Sequence, residues 1–122
     1  MTAKSNYEPT LRQKKVNAFL QRRLAEIIKE KDFSDLSGLM TISKVEVTPD
    51  LREAKVWFSV FGQKPQEVLK ILEKEIYSIQ GELYKDASMK IVPKVRFVID
   101  HSEEHAQRVN ELIRKIHHDE ED

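Results

Sequence analysis

Phosphate neutralisation is the chemistry that the residue types of this chain serve most directly. Arg12, Lys15, Arg22 and Lys29 recur at steps of three and seven. At about 100° per residue, those steps gather them along one flank of a helix, interrupted only by Glu26. A row of cations can follow a phosphate backbone, where each neutralised phosphate adds affinity that salt removes. Lys14 lies in the same segment, Lys85 and Lys90 fall further on, and Lys94 and Arg96 take the polar face of a later strand, a weaker case than the helix row. Each is a candidate phosphate contact, setting position without reading bases. The competing reading is that long cationic stems merely border a buried stripe. Trp57, beside Lys55, offers an indole that could stack on a base or nest on a protein partner.

Catalytic motifs are sparse. His101-Ser102-Glu103-Glu104-His105 fits H-x-x-E-H, a pattern of some zinc peptidases. That chemistry needs both imidazoles on one helical face. With Ser102 as N-cap, His101 falls outside the helix and the geometry fails. There is no cysteine, so thiolate metal sites and disulfides are excluded. His117-His118 belongs to a charged tail. No Ser/His/Asp or paired-carboxylate arrangement stands out, because the carboxylates mostly share wet helix faces with lysines. Neither a catalytic residue, a metal nor a cofactor is expected.

The positions of the charges matter more than their sum. Net charge is zero over 122 residues. Residues 1–31 carry eight Lys/Arg against three Glu, residues 32–100 ten against eleven acids, and residues 101–122 three against seven. A basic N-terminal third is therefore offset by an acidic end, an asymmetry that can mark a polyanion-binding face. The apolar fraction of 39% suits one modest core. No run of eighteen apolar residues and no charged-then-apolar leader is present, so no membrane span or secretion is expected. The lack of cysteine agrees with a reducing cytoplasm.

The elements that position these residues follow from hydrophobic period. Residues 1–9 form a polar arm without periodicity, expected to be flexible. Thr10 caps a helix to about Lys31, with Val16, Phe19, Leu20, Leu24, Ile27 and Ile28 as its apolar stripe. Residues 32–38 turn the chain, with Phe33 and Leu36 tucked beneath. Met40–Thr48 and Ala54–Phe61 read as a hairpin whose turn contains Pro49-Asp50, and Val56, Phe58 and Val60 line its apolar face. Pro65 opens a second helix buried through Val68, Leu69, Leu72, Ile76 and Ile79. That helix is expected to kink at Gly81 and continue as a short helix to Met89. Pro93 starts a third strand through Val95, Phe97 and Ile99, and Ser102 starts a last helix with Val109, Leu112 and Ile116 inward. The expected fold is α+β: helices on one face of a three-stranded sheet, one domain over residues 10–116, and an acidic tail over 117–122. Strand order is left open.

Asp35 to Gly62, DLSGLMTISKVEVTPDLREAKVWFSVFG, resembles the central signature of bacterial ribosome-binding factor A. Gly38 precedes the first strand, Thr41-x-Ser43-x-Val45-x-Val47 runs along it, and Asp50-Leu51-x-x-Ala54-Lys55-Val56-Trp57 leads into the second. Arg12-x-x-Lys15-Val16, Gly81 and Ile91-Val92-Pro93-Lys94-Val95-x-Phe97-x-x-Asp100 agree in the same order. The resemblance implies a KH-like domain of the second topological type. It implies binding to the small (30S) ribosomal subunit and its 16S rRNA, assistance in late RNA maturation without catalysis, a cytoplasmic monomer, and an assembly GTPase as a further partner. It also adds Gly81 to the candidate RNA contacts. This chain has no Gly-x-x-Gly clamp. The family's Ala-x-Gly kink carries Ile79 in place of alanine, its Asp-Pro-Arg is Asp32-Phe33-Ser34, and the stretch from Gly81 to Pro93 is several residues short, with Leu83 and Tyr84 near a usual arginine. The alternative function is a protein-interaction module built on Trp57 and the hairpin.

Overall fold

A computed structural model describes residues 6–86 and 89–102. The last helix and the acidic tail expected from the sequence lie outside the described residues. The order is α1 (Leu11–Lys31), β1 (Leu39–Val47), β2 (Glu53–Phe61), α2 (Pro65–Lys74), α3 (Ile76–Tyr84) and β3 (Lys94–Ile99). This is the expected α+β class. The strand order is β1-β2-β3, with β2 antiparallel to β1 and parallel to β3. Parallel pairing of β2 with β3 requires a long crossover, which α2 and α3 provide.

Local chemistry sets the boundaries. Thr10 and Gln13 form a reciprocal capping box, each side chain accepting the other's backbone N–H. Asp32, in the left-handed region at φ 46°, ends the helix. Within the hairpin turn the Asp50 carboxylate accepts from the Thr48 hydroxyl at 2.6 Å and the Arg52 N–H at 3.1 Å. Both bonds hold Asp50 below the usual carboxylate range. Gly62 takes φ +86°, and a Cβ on Gly38 would stand 2.7 Å from the Phe61 carbonyl oxygen, so both strand-end glycines are required. Gln63 locks this end, accepting from the Ser37 and Gly38 N–H groups and donating to the Asp35 carbonyl.

The core lies between the helices and one face of the sheet. Leu20, Leu24 and Ile27 meet Val56, Phe58, Val68, Leu72, Ile79, Leu83 and Val95, and Phe58 packs edge-on to Phe97 at 6.3 Å. Phe33 and Leu36 pack against this cluster as expected. Amide side chains seal both edges of the sheet. On α1, Gln13 donates to the Val47 carbonyl at 3.0 Å, Asn17 accepts from the Val47 N–H at 2.9 Å, and Gln21 donates to the Ile42 carbonyl at 3.0 Å. On α3, Gln80 spans the outer edge of β3, donating to Pro93 and accepting from the Val95 N–H. These bonds occupy backbone groups that no neighbouring strand could reach. Within the expected N-terminal arm, Tyr7 is held by its hydroxyl, which donates to Val47 and accepts from Asn17.

The kink expected at Gly81 is not there. The helix breaks at Glu75 (φ −96°, ψ 8°), and α3 runs straight through Gly81 to Tyr84, so no separate helix starts at Glu82. Val68, Leu72, Ile79 and Leu83 remain on one buried stripe across the break, and this packing overrides the weak helix propensity of glycine.

Candidate nucleic-acid interface

The buried residues of α1, namely Gln13, Leu20, Leu24, Ile27 and Ile28, fix which side faces the sheet. Helical period then puts Lys15, Arg22 and Lys29 directly opposite, on the outward side, with Arg12 a quarter-turn round and Lys14 toward the other edge. All five are exposed. This corrects the expected flank beside the core. Gln13, Asn17 and Gln21 point at β1 and rotate the buried side away from the cations, whereas a purely apolar stripe placed it nearer to them. From Arg12 to Lys29 the row covers about 25 Å of helix.

Arg12, Lys14, Lys15 and Lys29 have no ion pair among the described residues. Arg22 lies 4.0 Å from Glu26, and its guanidinium sits 5.9 Å from the Phe19 ring centre. Arg23 is shared between Glu26 and Glu30. At the C-terminal end, Lys31 approaches Glu82 of α3 at 3.9 Å, and Lys85 bonds the same carboxylate at 3.1 Å. The Lys85 hydrogen bond and charge hold Glu82 below its usual range, with Lys31 and Arg23 adding to the effect. Lys85 is thus joined to the end of the α1 row, although partly neutralised. Lys90 is exposed in the connection to β3.

Lys94 and Arg96 are not part of that surface. Val95, Phe97 and Ile99 face the helices, so the alternate residues project from the open face of the sheet, across the molecule from the α1 row. Arg96 is directly opposite Lys55, and a concavity of about 640 Å³ lined by Tyr7, Glu46, Glu53, Lys55, Lys94 and Arg96, among others, opens beside them. Trp57 shares this face, half-buried, with Lys44 4.2 Å and Lys55 4.7 Å from its ring centre. Both ammonium groups lie within cation–π distance of the indole.

Gly81 sits inside α3 with nothing within 4 Å of a Cβ built on it. Sequence reasoning missed two of its neighbours, Tyr77 and Tyr84 of α3, which are 90% and 62% exposed. An aromatic pair seven apart, off the apolar stripe, was the signal available. Among the described residues no group of His, Asp or Glu is placed to hold a metal ion, and no helix is long and apolar enough to cross a membrane. The H-x-x-E-H segment lies mostly outside the described residues.

The family model for ribosome-binding factor A matches residues 12–113. The chain belongs to the ribosome-binding factor A family. A ribosome-binding factor A from Polynucleobacter necessarius subsp. necessarius is 38% identical over 94 residues, 77% of each chain. Among solved structures, the crystal structure of ribosome-binding factor A from Thermus thermophilus superposes with a TM-score of 0.66 at 22% identity, covering 74% of this chain and 97% of that one. A second set of coordinates is a homology model of the Thermus thermophilus protein fitted into the cryo-EM map of a 30S complex of that factor. It matches with a TM-score of 0.58 at 24% identity, covering 70% of this chain and 91% of that one.

Proposed function

We propose that this protein binds the small (30S) ribosomal subunit through its 16S rRNA and assists late maturation of that RNA as a non-catalytic factor. The observation that carries this is the row on α1, where Arg12, Lys14, Lys15 and Lys29 stand exposed and without carboxylate partners among the described residues. Family membership and the 30S complex of the similar Thermus thermophilus factor point the same way. Charges left unpaired on a helix held rigidly by its core stripe and edge-sealing amides are preorganised for phosphates. The protein acts as a cytoplasmic monomer, with an assembly GTPase as a further partner. Arg12→Glu with Lys15→Glu tests this. Co-sedimentation with immature small subunits is expected to be lost, and the slope of log affinity against log salt to fall by about 1.5 to 2. Unchanged co-sedimentation would refute the assignment.

A further inference from the structure

We infer that the outward face of α3 is a stacking platform for unpaired RNA bases, with Tyr77 and Tyr84 as its rings and Gly81 as the open ground between them. This rests on the RNA reading above and adds what that row of cations lacks, a preference for single strands. Tyr77, Gly81 and Tyr84 stand at i, i+4 and i+7 of one helix, the spacing that shares a face. The rings are 90% and 62% exposed, and neither belongs to the apolar cluster. Both rings stay outside the buried core, so folding does not require them.

Gly81 has no folding purpose either. Its φ is not in the left-handed region, and a Cβ there would touch nothing within 4 Å. Glycine is nonetheless among the poorest helix formers, so its presence leaves a low, open spot on an otherwise regular helix. Glu82 turns toward Lys31 of α1 and Gln80 toward β3. Gly81 therefore lies at the top of α3, with the tyrosines on its β3 side. A strand that leaves the α1 cations at Gly81 and turns along α3 meets both rings. Along the axis Tyr77 and Tyr84 are about 10 Å apart, the height of roughly three nucleotide steps. Lys74, exposed and without an ion pair among the described residues, offers an ammonium beside the path.

The test compares full-length Tyr77→Ala/Tyr84→Ala and Tyr77→Phe/Tyr84→Phe with the parent. The probes are an unstructured single-stranded RNA of about ten nucleotides and an RNA duplex of equal length at fixed salt. The alanine pair is expected to bind the single strand about tenfold or more weakly and the duplex within about twofold, with unchanged salt slope and melting temperature. The phenylalanine pair is expected to keep the parent's affinity. Three results overturn the platform: single-strand affinity within about twofold of the parent, equal losses on strand and duplex, or lost subunit association with oligonucleotide affinity intact, which would assign the rings to a ribosomal protein. If the parent binds both RNAs with steep salt dependence, those failures leave the α1 assignment standing. If it binds neither, both fall.

Discussion

At the scale of single residues, glycine positions separate folding from function. Gly38 is pressed against the Phe61 carbonyl and Gln63, so Gly38→Ala is expected to cost about 1–3 kcal/mol in urea denaturation. Gly81→Ala should do the reverse, raising stability by about 0.5–1 kcal/mol, since the added methyl meets only open space and favours the helix. A stability gain accompanied by weaker RNA binding would mark the open spot as functional. Asp100 gives a pH signature. Partial burial raises its pKa, but hydrogen bonds from the Ser102 and Ser43 hydroxyls and the Ser102 N–H, with the Lys44 charge, outweigh this and leave it below the usual range. A depressed native pKa contributes stability above the unfolded value, near 4 for an aspartate, and that contribution is lost as pH falls through the native value. Asp100→Asn should therefore be less stable than the parent at pH 7, with the gap closing on acidification below about pH 4 in thermal melts.

At the scale of elements, the sheet is closed at its edges by amides rather than by further strands. Gln13, Asn17 and Gln21 recur every four residues, so one side of α1 presents them as a ladder to β1. Gln80 does for β3 alone what those three do for β1. Gln80→Leu leaves the Pro93 carbonyl and Val95 N–H without partners and is expected to cost about 1–3 kcal/mol, with faster hydrogen exchange at the Val95 amide. The same bonds orient the cationic side of α1 and the tyrosine-bearing face of α3. The break at Glu75 lets the crossover follow the sheet while its buried stripe stays in register.

At the scale of the molecule, the sheet divides the cations into two populations. The α1 row and the Lys94–Arg96 pair lie on opposite faces, so one straight duplex reaches only one of them. With the α1 row as the phosphate contact, Lys94→Glu/Arg96→Glu should leave small-subunit association within about threefold of the parent, whereas Arg12→Glu/Lys15→Glu should abolish it. Both pairs should remain within about 1 kcal/mol of parental stability, as exposed substitutions do. Parallel sedimentation profiles of the two pairs distinguish the faces. A net charge of zero is no obstacle, because binding responds to charge within about a Debye length rather than to the total.

What the amino-acid order determined by itself were features carried by neighbours in sequence. The apolar periods gave α1, the three strands and a helical crossover between β2 and β3, Thr10 and Pro65 marked helix starts, and the hairpin signature carried the family. Tertiary structure alone decided what depends on distant partners. Strand order and the rotation of α1 follow from which backbone edges the amides reach and which strand faces are buried. A glutamine in a sequence reads as wet surface until its bonding carbonyl is known, and that carbonyl is 34 residues away for Gln13. Lys44 likewise meets the Trp57 ring only because the hairpin register sets the two residues opposite each other.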